Sequence, residues 1–216
     1  MTASATTSHA RLGVDAVAKW WTSGSGLRPV SFEVAAGELA VVRGRSGSGK
    51  STLLAIVAGW CPPDAGTVRI DGQEMSGSAL ARTTWQRVAV VPQVLALVPE
   101  LTLSENLEVA VAGRSRREQR SLACTVLERL DLSVLADRFP SEVSMGQQQR
   151  AAVARAVVAA PAVVLADEPT SHQDPEHASL VIAALLACAA GGSAVLVASH
   201  DEQVSRAASL TVELQL

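Results

Sequence analysis

Cysteine is scarce in the 216-residue sequence, which contains three. Cys61, Cys124 and Cys188 are scattered, are odd in number and do not have the spacing of metal ligands. This pattern argues against a disulfide framework and against a cysteine-based metal site. The cysteine content therefore favours a reducing, cytoplasmic environment.

An excess of positive charge is also missing, because the formal net charge at pH 7 is -3. Affinity for the backbone of nucleic acids usually rests on clustered lysines and arginines that give the whole domain a positive potential. The one basic run, RSRREQR at 114–120, is typical of a solvated helix face. The composition thus predicts that nucleic acid is not a partner.

Signals for targeting and membrane insertion are lacking as well. The N-terminus, MTASATTSHARLG, has small polar residues where a signal peptide needs a basic start and an apolar centre, and we expect residues 1–10 to form a disordered tail. Residues 179–199 carry no charge and approach the length of a membrane span. Gly191, Gly192 and Ser193 interrupt this stretch, which predicts a buried helix ending at the glycines and then a buried strand, AVLVAS.

The remaining pattern is an alternation of apolar strands and helices. Strand-like runs occur in SFEVAAGELAVVRG, RVAVVPQ, VVLADEP and AVLVAS, and TVRIDGQEM contains an Asp71-Gly72 hairpin turn. A helix is expected in KSTLLAIVAG, helices dominate about 102–160 after the capping box Thr102 to Glu105, and another spans about 175–190. Buried strands alternating with helices predict an α/β fold with a largely parallel sheet, covered on both faces.

The first motif with chemistry is GRSGSGKST at 44–52, which matches G-x-x-x-x-G-K-[ST] between a strand and a helix. The glycines let successive N–H groups point inward, and the helix N-terminus adds positive potential for phosphate. Lys50 can reach the β- and γ-phosphates of a nucleotide, and the Ser51 hydroxyl can hold Mg²⁺. The segment therefore predicts a nucleotide-binding phosphate loop, formed by Gly44, Arg45, Ser46, Gly47, Ser48, Gly49, Lys50, Ser51 and Thr52.

The second motif is VVLADEPT at 163–170, in which Asp167 and Glu168 follow four apolar residues. Ligands of open α/β sheets collect at the carboxyl ends of the strands, so this strand delivers both carboxylates beside the phosphate loop. We expect Asp167 to hold Mg²⁺ through water, and Glu168 to orient and deprotonate an attacking water. The pair indicates hydrolysis of the nucleotide.

Together with four further segments, these motifs resemble the ATP-binding cassette (ABC) family of ATPases from about residue 12 to 212. The further segments are VVPQ, VSMGQQQRAAVARA, SHQD at 171–174 and SHD. The resemblance implies a P-loop NTPase core with a mostly parallel sheet, an antiparallel β subdomain and an inserted helical lobe. Residues 11–216 would form a single nucleotide-binding domain with the helical subdomain at about 94–160, binding ATP and Mg²⁺.

The segment VSMGQQQR at 143–150, called the signature segment below, has two interpretations. Ser144 as N-cap and Gln147 three residues later make an ordinary capping box. The resemblance implies instead that this helix end faces the nucleotide of a second copy in a head-to-tail homodimer. The γ-phosphate of that nucleotide would then accept hydrogen bonds from Ser144 and from the backbone N–H groups of Met145, Gly146 and Gln147. Val143 and Met145 depart from the family pattern Leu-Ser-Gly-Gly-Gln, and Met145 adds a side chain where backbone is expected.

Other functional residues follow from the same resemblance. Gln93 would contact Mg²⁺ or water, His200 would be the switch histidine, and Asp174 would lie across the dimer seam. Without the resemblance, Gln93 is a polar strand end, His200 belongs to a turn, and Asp174 caps the helix that starts at Pro175. The catalytic set is thus Glu168, His200, Gln93 and Lys50, and the metal set is Ser51, Gln93 and Asp167.

Tyrosine is absent from the chain, although the family commonly stacks adenine on a tyrosine upstream of the phosphate loop. Trp21 stands in the expected region, and Trp20 is the alternative. An exposed tryptophan at the edge of the core is the non-functional interpretation.

Two functions remain. In the first, the chain is the ATPase subunit of a membrane transporter, cytoplasmic and attached to the inner face of the membrane through a separate integral membrane permease. In the second, it is a soluble cassette ATPase acting on a cofactor-assembly scaffold or another non-membrane partner. The length leaves no room for the coiled-coil insert of nucleic-acid versions or for a second cassette. The segment LVPELTLSENLEVAV resembles the short cassettes of lipoprotein-release and macrolide-export systems.

Overall fold

The structure, a computed structural model, describes residues 10–21, 26–75 and 86–215. The predicted N-terminal tail lies outside these residues except for Ala10. In chain order the elements are β1 (Ala10–Trp20), β2 (Gly26–Ala35), β3 (Leu39–Arg43), α1 (Lys50–Val57), β4 (Ala65–Ile70), β5 (Gln73–Glu74), β6 (Val88–Val91), α2 (Leu103–Ala110), α3 (Arg116–Arg129), α4 (Met145–Val157), β7 (Val163–Asp167), α5 (Pro175–Ala190), β8 (Ala194–Ala198), α6 (Glu202–Ala207) and β9 (Leu210–Glu213).

One sheet is antiparallel, with the strand order β2-β1-β4-β5. The turn between β4 and β5 consists of Asp71 and Gly72, whose φ values are 50° and 73°. Positive φ at both central residues is the requirement of the tight hairpin turn that an Asp-Gly pair favours. The hairpin prediction is therefore confirmed.

The second sheet has the strand order β6-β7-β8-β3-β9, and every pairing in it is parallel. Every residue of its central strands β7 and β8 is buried because both faces of the sheet are covered there. Val41 and Val164 pack with helices α2 to α5 on one face, whereas Val42 and Leu165 pack with α1 and the antiparallel sheet on the other. The predicted α/β fold with a largely parallel, doubly covered sheet is thus confirmed.

The helical lobe lies between β6 and β7 in the chain. Helices α2 and α3 pack against each other and against α4, and α4 also contacts β6 and β7. Helix α2 begins with the predicted capping box of Thr102 and Glu105. Helix α4 is therefore shared by the lobe and the parallel sheet.

Residues 179–199 are a helix and a strand. Helix α5 ends at Ala190, Gly192 adopts a φ of 103°, and β8 begins at Ala194. Within the described residues, no helix has the length and apolarity needed to cross a membrane. The predicted order of a helix and then a buried strand is confirmed, but the helix is buried on one face only, because Ser179, Ala183 and Leu186 are exposed.

Candidate functional site

The carboxyl ends of the parallel strands meet at one edge of the sheet and border a cleft of about 460 Å³, called the phosphate cleft below. The loops after β3, β6, β7 and β8 all reach this edge because the strands run in the same direction. Most of the residues predicted from the motifs are brought together here. The cleft is lined by Trp21, Gly26, Ser46, Gly47, Gly49, Lys50, Ser51, Thr52, Gln93, Asp167, Glu168 and His200.

The phosphate loop wraps tightly between β3 and α1. A Cβ on Gly44 would lie 2.5 Å from Oγ of Ser48 and 2.8 Å from the carbonyl oxygen of Leu214, so only glycine fits at this position. Gly49 is the N-cap of α1 at a φ of 93°, and no side chain caps the helix. The first N–H groups of α1 are therefore left for a ligand, and an anion such as phosphate is the ligand this geometry favours.

Two polar side chains of the loop, Ser48 and Lys50, differ in their hydrogen bonds. Oγ of Ser48 is buried and has no hydrogen-bond partner among the described residues. Nζ of Lys50 donates to the carbonyl oxygens of Gly44 at 2.7 Å and Arg45 at 3.4 Å. The ammonium group is thus held across the mouth of the loop, where the terminal phosphates of a nucleotide would lie.

The side chains of α1 and β7 meet where a divalent cation is expected. Oγ of Ser51 donates to Oδ2 of Asp167 at 2.7 Å, and Gln93 lines the same cleft. A hydroxyl, a carboxylate and an amide oxygen are hard ligands that suit Mg²⁺, which takes one or two protein carboxylates and completes its shell with water and substrate phosphates. Among the described residues no group of three His, Cys, Asp or Glu forms a metal site. The donor set fits Mg²⁺ carried by a nucleotide.

Glu168 follows β7 in a strained conformation, with a φ of 48°. Its carboxylate accepts a hydrogen bond from Oγ of Ser199 at 3.0 Å and from the backbone N–H of His200 at 3.4 Å. Nε2 of His200 lies 4.0 Å from the other carboxylate oxygen. Strain of this kind persists only where the surroundings hold the residue in place. The arrangement holds the Glu168 carboxylate at the cleft, with the His200 imidazole near it.

Two residues that support Glu168 were missed by sequence reasoning. Ser199 is fully buried and is the hydroxyl donor to the carboxylate. Gln149 of α4 is also buried, and its Nε2 donates to the carbonyl oxygen of Glu168 at 2.7 Å. Both lie inside motifs already recognised, but only the folded chain shows that they contact Glu168.

The signature segment borders a second cleft of about 490 Å³, called the signature cleft below. Ser144 caps α4: its Oγ accepts from the N–H of Gln147 at 3.3 Å, and its own N–H donates to Oε1 of Gln147 at 2.8 Å. The predicted capping box is confirmed. The phosphate and signature clefts have no lining residue in common. The signature cleft is lined by Asp131, Val134, Leu135, Ser144, Met145, Gly146, Gln147, Arg150, His172, Gln173, Asp174 and His177.

The start of α4 is docked on the loop that follows Glu168. Nε2 of Gln173 donates to the carbonyl oxygen of Gly146 at 2.8 Å, and Nη1 of Arg150 donates to Oε1 of Gln173 at 3.1 Å. A Cβ on Gly146 would lie 2.8 Å from the carbonyl oxygen of His172, so glycine is required. Met145, by contrast, is 54% exposed and lines the signature cleft. The roles of Arg150 and Gln173 were also missed by sequence reasoning.

Asp174 is the N-cap of α5, as its position before Pro175 suggested. Its carboxylate accepts from the backbone N–H of His177 at 2.9 Å and contacts Nδ1 of the same residue at 2.7 Å. These two hydrogen bonds, the backbone one first, hold the pKa of Asp174 below its ordinary value. Asp174 lines the signature cleft beside Ser144. A role across a dimer seam stays a prediction.

The two adjacent tryptophans occupy different positions. Trp21 is 47% exposed and lines the phosphate cleft, whereas Trp20 is 57% exposed and does not line it. A large exposed aromatic beside a phosphate loop is suited to stacking on a nucleotide base. The geometry favours Trp21 over Trp20 for this role, which stays a prediction.

A glycine-rich loop at an uncapped helix end, beside a hydroxyl–carboxylate pair, defines a P-loop nucleotide-binding protein. Residues 27–171 match the protein family described as ABC transporter. The chain therefore belongs to the ABC transporter family, as one of its ATP-binding cassettes. The cassettes of this family are ATPases.

Similarity to individual proteins extends over nearly the whole chain. A protein of Mycobacterium tuberculosis, the ABC transporter ATP-binding protein Rv0073, is 38% identical over 92% of the chain, which spans 62% of the relative's length. The macrolide export ATP-binding/permease protein MacB of Shigella flexneri is 35% identical over 88% of the chain, which spans 30% of MacB. The predicted resemblance to macrolide-export cassettes agrees with the second similarity.

A solved structure has the same fold. The ATP-binding cassette MJ0796, determined as a dimer in a post-hydrolysis state bound to ADP and Pi, superposes with a TM-score of 0.85 and is 30% identical, with 94% of each chain covered. The P-loop core, antiparallel sheet and helical lobe predicted from the motifs are therefore the architecture of a solved ABC cassette.

Proposed function

We propose that the chain binds and hydrolyses ATP in a head-to-tail homodimer and thereby powers a separate integral membrane permease. The observation that carries the proposal is the separation of the two clefts within one chain. The signature helix end does not reach the chain's own phosphate cleft, so a second copy has to supply it. Two-fold symmetry then pairs each phosphate cleft with the signature segment of the other copy. The solved structure of MJ0796 is a dimer, which supports the homodimer of the proposal.

In the proposed site, the chain's own groups bind the triphosphate and activate water. The N–H groups at the start of α1 and the Lys50 ammonium bind the phosphates, while Ser51 and Asp167 would hold a Mg²⁺ ion. A bound Mg²⁺ would neutralise charge on the β- and γ-phosphates. Glu168 accepts the proton of the attacking water, and His200 lies beside it to contact the γ-phosphate. Ser144 of the second copy donates to the same phosphate.

The link to a permease is inferred from the loop after β6. Gln93 lines the phosphate cleft, and the next residue, Val94, is 84% exposed on the surface. One short loop therefore spans from the nucleotide to the outside of the cassette, beside the helical lobe. A permease docked there would respond to closure around ATP and would hold the chain on the cytoplasmic face of the membrane. The substrate and the direction of transport are properties of that permease.

The proposal is tested by separating hydrolysis from docking. The tagged chain should hydrolyse ATP and should co-purify with an integral membrane protein from detergent-solubilised membranes of its source cells. Val94→Asp places a charge in the proposed dock and should abolish co-purification while hydrolysis is kept. Leu186→Asp is the matched control, because Leu186 is 39% exposed on α5 and does not belong to the loop after β6. Leu186→Asp should leave both ATP hydrolysis and co-purification unchanged.

Two results would contradict the proposal in different ways. If the chain hydrolysed no ATP at any protein concentration, the proposed ATPase activity would be excluded. If the chain co-purified with a soluble assembly protein, and Val94→Asp did not change this, the permease would be excluded as the partner. The alternative, a cofactor-assembly scaffold, would then be the partner.

A further inference from the structure

The two lysines of the sequence lie in or next to the phosphate cleft. Lys50 lines the cleft, and Lys19, near the end of β1, lies against Trp21 with its Nζ 5.3 Å from the centroid of the indole ring. Trp21 lines the phosphate cleft but Lys19 does not. The ammonium group therefore reaches the tryptophan from outside the space that a nucleotide would fill.

Asp64 holds Lys19 in this position. One carboxylate oxygen accepts from Nζ of Lys19 at 2.8 Å, and the other accepts from the backbone N–H of Trp20 at 2.8 Å. The N–H of Asp64 donates in turn to the carbonyl oxygen of Ala18 at 2.9 Å. One carboxylate thus ties together the lysine and the stretch of backbone that leads into Trp21.

The pair stays charged at neutral pH. The hydrogen bond to Asp64 raises the pKa of Lys19, and the same bond, together with the one from the backbone of Trp20, lowers the pKa of Asp64. The Lys19 side chain is 12% exposed, so its ammonium group is partly shielded from water. A cation within about 6 Å of an indole face is attracted by the ring quadrupole.

An exposed ring needs support to act as a platform. Trp21 is 47% exposed, so packing against the core does little to restrict its orientation. A base that stacks on a mobile ring has to order it on binding, which weakens the complex. A ring already oriented by a fixed cation avoids this loss.

We propose that Lys19, fixed by Asp64, is a positioning residue that holds the Trp21 indole in the orientation that stacks on the base of ATP. The inference rests on the proposed function, because it assumes that the phosphate cleft takes ATP. It adds a residue pair that belongs to none of the sequence motifs.

The test compares a ligand that has a base with one that lacks it. Lys19→Met keeps the length of the side chain and removes its charge. It should weaken the binding of Mg²⁺–ATP about three- to tenfold, the range of one partly shielded cation–aromatic contact, and leave the binding of Mg²⁺–tripolyphosphate unchanged. Asp64→Asn should act in the same direction. Lys19→Arg, which keeps the charge and the ability to pair with Asp64, should stay within about twofold of the wild type. Binding is measured by titration calorimetry.

A double-mutant cycle and a matched control isolate the role of the indole. In a Trp21→Ala background, Lys19→Met should have no further effect on ATP binding, because the two residues act through one contact. Arg11→Met removes another ion pair of β1, Arg11 with Asp71 at 3.3 Å, and should leave both ligands unaffected. Circular dichroism of each variant checks the fold.

The outcomes separate this inference from the proposed function. If the wild type bound neither ligand, the proposed function would fail. If Trp21→Ala weakened ATP binding but Lys19→Met did not, stacking would stand and the support role of Lys19 would be overturned. Equal weakening of ATP and tripolyphosphate by Lys19→Met would also overturn it, because a general loss of structure does not distinguish the base from the phosphates.

Discussion

The phosphate cleft and the signature cleft each contain a helix N-terminus, and the two N-termini differ in whether a side chain caps them. Helix α1, at the phosphate cleft, begins at Gly49 without a side-chain cap. Helix α4, at the signature cleft, begins at Ser144 with both bonds of a capping box formed. The first helix end is open to a ligand from the start. The second forms its own capping hydrogen bonds, and under the proposed function it would exchange one of them for a bond to the nucleotide.

The two helix ends share one property that the others lack. Among the described α-helices, α2, α3, α5 and α6 carry an acidic residue in the first turn, whereas α1 and α4 carry none. An acidic side chain there would neutralise the positive end of the helix dipole. The positive potential is thus preserved at the two ends proposed to bind phosphate, and it is reduced at the starts of α2, α3, α5 and α6.

The largest expected effect comes from damaging both helix ends in separate chains. Lys50→Ala removes the phosphate-binding ammonium and Ser144→Arg blocks the signature segment, so each pure variant should be inactive. In a mixture, half of the dimers are mixed, and each of these keeps one site with Lys50 and Ser144 intact. We therefore expect roughly a quarter of wild-type ATP hydrolysis under two-fold symmetry.

Strict coupling between the two sites would lower the recovered rate, so nucleotide trapping is measured beside turnover. Full activity of Ser144→Arg alone would show that α4 is an ordinary capped helix. Turnover per chain that stays constant on dilution far below the dimerisation range would show the same.

The next effect concerns Glu168, which connects the two regions through its hydrogen bond from Gln149 of α4. Glu168→Gln removes the proposed base but changes neither helix end. Hydrolysis should slow by about 10²- to 10⁴-fold, the usual worth of a positioned base, while ATP binding is kept. Single-turnover kinetics and equilibrium binding measure the two quantities. Normal turnover of the variant would exclude Glu168 as the base.

The smallest effect distinguishes a cap from a ligand contact. Ser115 of α3 and Ser144 of α4 are both N-cap serines in complete capping boxes. Replacing either with Ala should lower the free energy of unfolding by about 1 kcal/mol, or a few degrees in melting temperature. Only Ser144→Ala should also slow ATP hydrolysis. If the two variants had equal turnover and equal stability, Ser144 would act only as a helix cap and not as a ligand contact.

Much of the fold could be predicted because its signals are local. The Asp71-Gly72 turn, the capping box at Thr102 and the glycines after α5 each act within a few residues. The apolar run of β7 indicated burial on both faces for the same reason, since a half-exposed strand would alternate. The limits of the helical subdomain, about 94–160, stay a prediction, because α4 packs on both the lobe and the sheet.

The residues of the candidate site could be predicted from the sequence. The side chains that hold those residues in place could not. The motifs indicated Lys50, Ser51, Asp167 and Glu168 because phosphate and Mg²⁺ chemistry requires those groups at those spacings. Ser199, which donates to the carboxylate of Glu168, follows a different strand, more than 30 residues further along the chain. No local pattern predicts such a pair.

The sequence by itself determined which groups the protein offers: a phosphate loop, two carboxylates after a buried strand, and a helix start without acidic residues. These depend on residue type and near neighbours, which are written directly in the chain. Tertiary structure alone decided where they lie. It placed the signature segment in a cleft apart from the phosphate loop, and it set Lys19 and Asp64 behind Trp21. Such distances depend on how sheets and helices pack, because packing joins residues that are far apart in sequence.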